Sequence, residues 1–115
     1  MNSEAGNNQR RNERRVLRRP AQMQLQDGQV LQALARDIGL GGIGLIIPAN
    51  LRPRAPCVVR LVLPQAKGAA AELTVRGVVN YSVYSGAESG FLAGVVFAAL
   101  DEAAATAIQD FLERP

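Results

Sequence analysis

Apolar and polar positions alternate most cleanly in "PAQMQLQDGQVLQA", residues 20–33, where Ala21, Met23 and Leu25 interleave with Gln22, Gln24 and Gln26. A period of two sends one set of side chains to each face, so this stretch predicts a half-buried strand. Asp27-Gly28 interrupts it and reads as a type I′ hairpin turn, because glycine tolerates the positive φ such turns require. A second strand is expected from about Gln29 to Ile38. "DIGLGGIGLIIP" then carries Gly39, Gly41, Gly42 and Gly44, the mark of a tight turn entering a third strand over about Ile43 to Ile47, closed by Pro48. After the loop "ANLRPRAP", "CVVRLVLP" predicts a fourth strand with Cys57, Val59, Leu61 and Leu63 on one face. "ELTVRGVVNYSVY" predicts a fifth, with Leu73, Val75 and Val79 on one side and Gly77 at a bulge or kink. "FLAGVVFAAL" predicts a sixth, after the turn "SGAESG".

The last segment changes period. In "LDEAAATAIQDFLER", Leu100, Ala104, Ala107, Ile108, Phe111 and Leu112 recur at helical spacing, with Asp101 and Glu102 in the first turn and Arg114 in the last, as the helix dipole favours. The chain therefore reads as all-β with a C-terminal helix. Six short antiparallel strands can close into a small barrel, with the helix over one opening or edge. Residues 1–13, "MNSEAGNNQRRNE", lack an apolar period and are expected to form a flexible tail ahead of one domain over residues 14–113.

Composition narrows the chemistry. Hydrophobic residues make up 48% of the 115 positions, enough for one packed core, and with only five aromatic residues that core must be mainly Val, Leu, Ile and Ala. Cys57 is the only cysteine, so no intrachain disulfide can form, and it reads as a small core residue rather than a nucleophile. There is no histidine, which removes the usual general base, the Ser/His/Asp and Cys/His arrangements and histidine metal ligation. One cysteine and scattered carboxylates do not make a zinc site. No enzyme activity, metal or cofactor is expected. No apolar run approaches the roughly 20 residues that span a bilayer, and no apolar run follows the N-terminal basic residues as in a secretory signal, so membrane insertion is not expected and the cytoplasm is the expected location.

Charge changes the picture more. The net charge is +3, but residues 1–19 hold six arginines against Glu4 and Glu13, whereas the remainder holds seven basic side chains against eight acidic ones. The positive field belongs to the N-terminal segment, and Arg14, Arg15, Arg18 and Arg19 fall within six residues of one another. Guanidinium groups are seldom buried without partners. The cluster reads as a solvated arm before the first strand or as half of an anion site. Alone, it is equally a loose nucleic-acid contact, just as the glycine-rich turn alone is a tight turn and Asp37 a turn residue.

Two spacings join these features: R-x-x-x-R from Arg15 to Arg19, and D-x-G-x-x-G from Asp37 to Gly42. With "RGVVNYS", "GFLAGVVFAALDEAAATAIQDFL" and the order of six strands then a helix, residues 13 to 113 resemble the PilZ domain family. Its hallmarks are RxxxR before the first strand and [D/N]xSxxG between the second and third. The resemblance implies a PilZ-like β-barrel and a cytoplasmic bacterial receptor for the second messenger cyclic di-GMP, with motility and biofilm-related processes such as adhesion and exopolysaccharide production as family-level outputs.

Carried over by motif position, Arg15 and Arg19 would grip the ligand, Arg14 would help hold a second, stacked nucleotide, Asp37 would accept from guanine N1–H and amino groups, and Gly42 would let backbone approach. Arginine suits a ligand with two phosphodiesters and two guanines, because its planar fork matches both a phosphate and the guanine O6/N7 edge. Gly39 stands where the family pattern has serine. A hydroxyl contact is missing there, and water is expected to fill the space. The implied partners are cyclic di-GMP and a downstream protein, with no specific nucleic acid and with a ligand-linked monomer–dimer change. The leading expectation is a receptor that clamps the nucleotide between an N-terminal arginine arm and the glycine turn. The alternative is a degenerate PilZ-like adaptor with little nucleotide affinity, favoured by Gly39. A third reading is a weak RNA or DNA binder working through the arm.

Overall fold

Alternation of apolar side chains closes the sheet on itself. The structure, a computed structural model, describes residues 13–114, so nearly all of the expected N-terminal tail lies outside the described residues. Six strands, β1 (Arg14–Leu25), β2 (Val30–Gly39), β3 (Gly42–Ile47), β4 (Pro56–Leu63), β5 (Ala71–Ser85) and β6 (Gly90–Ala99), precede one helix, α1 (Glu102–Glu113). All pairings are antiparallel, in the closed order β1-β2-β3-β6-β5-β4. The architecture is thus the expected six-stranded barrel with a C-terminal helix. Met23, Ile38, Ile43, Leu45, Val59 and Leu63 meet in its interior, each at most 1% exposed, and no polar or charged side chain is buried among the described residues. Cys57 is part of this core, and burial pushes its thiol up to about 11, so it is neutral at physiological pH.

The helix covers the barrel end at which β1 begins and β4 passes into β5. The Asp101 carboxylate caps it, accepting from Ala104 N at 2.7 Å. Ala104, Ala107, Ile108 and Phe111 form its buried stripe. The β4–β5 turn holds it from outside: Gln65 Nε2 donates to Ala107 O at 3.0 Å, and Ala66 N to the Asp110 carboxylate at 2.6 Å. Arg114 does not lie in the last turn, as the sequence suggested. It is the extended residue that ends the helix, and the last turn has no basic side chain of its own.

Two local expectations need revision. The first hairpin is not a type I′ turn. Gly28 N donates to Leu25 O, Leu25 N donates to Gln29 O, and Gly28 alone in the turn has positive φ, at 92°. This is a type I turn closed by a left-handed glycine, stabilised by the Asp27 carboxylate accepting from Gln29 N at 2.9 Å. The arginines, moreover, are not an arm ahead of the sheet. They form the first half of β1, with Arg14 opposite Gly39, Arg15 opposite Ile38 and Val16 opposite Asp37. Backbone pairing is indifferent to side-chain type. Half-buried Arg15 and Leu17 do alternate with exposed Arg14 and Val16, but an arginine at an inward position disguises the period.

Candidate functional site

Strict alternation would point Asp37 and Tyr81 into the barrel. Ala35 and Val79, two residues earlier on their strands, are both buried. An extra residue in each strand reverses this. The β2–β3 register slips by one at Arg36, which turns Asp37 outward and Ile38 inward. The β5–β6 register slips by one at Asn80, which leaves Tyr81 46% exposed. Bulges of this kind re-aim side chains. A third irregularity, between Val16 and Arg19 in β1, includes Arg18 in the left-handed region at φ 47°. Register also slips beside Gly77, as its glycine suggested, with Ala98 of β6 as the extra residue.

These slips align one row of residues across five strands of the outer surface: Val16, Asp37, Gly44, Gly94 and Tyr81. The two glycines make a floor with no side chains. A Cβ at Gly44 would lie 2.8 Å from Asp37 Oδ1, and a Cβ at Gly94 would run into the Tyr81 ring. The carboxylate and the ring therefore rest directly on the sheet. Arg14 Nε and Nη2 both donate to Asp37 Oδ1, at 3.0 and 2.6 Å, and both side chains remain partly open to solvent. Arg14, Asp37, Gly42, Asn80, Tyr81 and Gly94 line a cleft of about 210 Å³ at this spot.

The motif positions are thus partly brought together. Arg14, Asp37 and Gly42 share the cleft, and Gly39 lies beneath the start of β1. A Cβ at Gly39 would strike the Glu13 carbonyl and press on Arg14 Cγ at 3.2 Å. No gap awaits a water there, contrary to the expectation from sequence, because the neighbouring strand fills it. Gly42 is needed for close strand approach, since a Cβ would collide with the Val95 carbonyl. Gly39→Ser is accordingly expected to loosen the β1 entry by about 1–3 kcal/mol. Amide exchange would then speed up at Arg14 and Gly39 but not at Met23.

The two pattern arginines point elsewhere. Arg15 reaches under the barrel end to α1, where Nη1 donates to Phe111 O at 2.8 Å and to Arg114 O at 2.5 Å, with the guanidinium 5.1 Å from the Phe111 ring centroid. It supplies the cation that the last helical turn lacks. Arg19 lines a separate cleft of about 390 Å³ with Gln22, Gln32, Arg60 and Glu72. Arg18, which the motif does not include, lies 3.6 Å from Glu88 in the β5–β6 turn. From sequence, Tyr81, whose ring could stack on a base, reads as a partly buried strand residue, and Asn80 is given no role. The sequence carries no signal for this, because Asn80 and Tyr81 continue the alternation of Val75 and Val79, with the polar residue at an outward position and the ring at an inward one.

Among the described residues, no group of three or more His, Cys, Asp or Glu side chains converges as a metal site. No helix among them is long and apolar enough to cross a membrane.

Comparison with known proteins supplies the remaining observations. A family model described as the PilZ domain matches residues 8–114. No curated protein sequence matches the chain. Among solved structures, the chain is similar to the Bacillus subtilis inhibitor of motility MotI/DgrA, with a TM-score of 0.75 at 13% identity over 86% of this chain and 47% of that one. It is also similar to PlzA of Borreliella burgdorferi, solved in complex with c-di-GMP, with a TM-score of 0.66 at 17% identity over 96% of this chain and 43% of that one. At such identities the likeness speaks to fold, and the chain spans less than half the length of either protein.

Proposed function

The chain belongs to the PilZ domain family, and on that premise we propose that it is a non-enzymatic, cytoplasmic receptor for cyclic di-GMP that signals to a downstream protein. Support comes from the direct pairing of the two motif segments: Arg14 lies opposite Gly39 in the sheet, and its guanidinium holds Asp37 on the outer surface. Asp37 Oδ1 takes both bonds from Arg14, which leaves Oδ2 to accept from guanine N1–H. The ligand named in the PlzA complex is consistent with this chemistry.

Arg15 and Arg19 would have to turn toward the nucleotide. For Arg15 this means exchanging two helix carbonyls for a phosphodiester, a better acceptor because it is charged. Ligand binding would thereby uncap the C-terminus of α1, a change a partner protein could sense. That exchange gives the clamp a physical output, whether it recruits a partner or shifts a monomer–dimer balance.

Calorimetric titration of the full chain with cyclic di-GMP tests the proposal, and its salt dependence distinguishes it from a nucleic-acid contact. Two phosphates predict a slope of log K against log salt of about −1.4, whereas six N-terminal arginines on a single-stranded RNA backbone predict about −4. Saturable binding with the shallow slope is the expected result. Absence of binding to cyclic di-GMP would leave the adaptor reading, which Gly39 and the engagement of Arg15 with α1 favour.

A further inference from the structure

We infer that Glu88, in the turn between β5 and β6, is an autoinhibitory residue: its ion pair with Arg18 holds the β1 arginine segment in its ligand-free arrangement, and cyclic di-GMP must open that pair to bind. The inference rests on the receptor reading above and adds to it a carboxylate outside both the arginine and the glycine motif. Glu88 Oε1 lies 3.6 Å from Arg18 Nη2. Arg18 stands within the register shift of β1, between Arg15 and Arg19. Turning those two arginines toward a nucleotide rotates the backbone on either side of Arg18, so the segment does not rearrange while Glu88 holds it.

Most surface ion pairs contribute little, and two observations set this one apart. The first is what it crosses. Pro20, Leu34, Ile46, Leu92 and Val83 pair in one row across β1, β2, β3, β6 and β5. The row lies on the outer face, because Ala35, Leu45, Ile47 and Ala93 beside it are buried, and it is apolar from end to end. A Cβ at Gly90 would lie 3.1 Å from Ile46 Cγ2, so the turn leans on the middle of this row. On that side β2 and β3 separate β6 from β1, and the ion pair reaches across them. The Glu88 side chain is accordingly only 29% exposed, although it belongs to a turn. The second observation is the backbone at both ends of the pair. Of three non-glycine residues with positive φ among the described residues, two are Arg18, at 47°, and Ser89, at 55°. A residue with a Cβ keeps such a conformation only where its surroundings hold it. Opening the pair therefore loosens the turn as well as the arginine segment.

Glu88→Gln removes the charge and keeps the shape. The expected result is that it binds cyclic di-GMP about two- to fivefold more tightly than the parent, the range that an exposed ion pair supports. Glu102→Gln removes the same charge from the exposed start of α1 and should change Kd by less than about 1.5-fold. In an Arg18→Ala background, Glu88→Gln should likewise add less than about 1.5-fold, because its partner is gone. Glu88 N donates to Ser85 Oγ and Ser89 N to Gly86 O, so exchange of these two amides reads the turn, and it should quicken when the parent binds the nucleotide. A Glu88→Gln no tighter than Glu102→Gln, an equal gain without Arg18, or turn amides unmoved by the nucleotide would overturn the autoinhibitory role and leave the receptor reading standing. A parent that does not bind cyclic di-GMP would overturn both.

Discussion

Arg15→Ala is expected to weaken cyclic di-GMP binding by at least about 2 kcal/mol, roughly thirtyfold, and also to lower folding stability by about 1–2 kcal/mol. Both losses have the same source. A hydrogen bond to a charged group contributes about 1.5–3 kcal/mol, and Arg15 makes two such bonds, to Phe111 O and Arg114 O, at the negative end of the α1 dipole. Because the side chain is only half-buried, the stability loss belongs at the lower end. The affinity loss is expected to be larger, since a phosphodiester acceptor is itself ionic whereas the helix carbonyls it would replace are not. Calorimetry at fixed salt and thermal melts read the two effects separately. Arg15→Lys splits them further. An ammonium keeps a charge at the helix end and should recover much of the stability, but it lacks the planar fork for phosphate or guanine and should recover little affinity. Arg15→Ala with unaltered affinity would make Arg15 a clasp for the helix and nothing more.

The engagement of Arg15 with α1 could not be read from the chain. Sequence presents Arg14, Arg15, Arg18 and Arg19 as one cluster, yet a strand sends neighbours to opposite faces, and an irregular one sends them further apart. Arg14 goes to Asp37, Arg15 to α1, Arg18 to Glu88 and Arg19 to another cleft. What was legible was whatever depended on period and punctuation. The barrel strands followed from alternation in "AQMQL" and "CVVRLVL", and the helix from its apolar stripe and Asp101 cap. The motif order, too, correctly placed Asp37 beside the arginine segment. What was not legible depended on one-residue slips. Arg36 and Asn80 leave no local signature, because a bulge is fixed by which partner residues pair, a long-range property. Those slips decide whether Asp37 and Tyr81 face the core or the cleft on the outer surface. Likewise, the family pattern marks Gly39 as the loss of a hydroxyl, but only the neighbouring strand shows that Glu13 already occupies that place.

Phe111→Ala is expected to produce the largest stability loss, about 3–5 kcal/mol, with a fall in Tm on the order of 15–30 °C. The ring is 3% exposed and anchors the end of α1 against the barrel, and it also lies beneath the guanidinium groups of Arg15 and Arg114, at 5.1 and 5.9 Å. Its removal opens a cavity and strips Arg15 of a cation–π contact of about 0.5–1 kcal/mol. The ligand should respond in the opposite sense. If Arg15 must leave the helix to meet a phosphate, a weaker hold on the helix lowers the energy of leaving, and affinity measured well below the new Tm should stay level or rise by up to about fivefold. Stability and affinity would then move apart in Phe111→Ala but fall together in Arg15→Ala. That contrast separates competition between helix and nucleotide for one guanidinium from a general weakening of the fold. An affinity that fell in both variants would mean that Arg15 serves the ligand from its place on the helix, with Phe111 as its support.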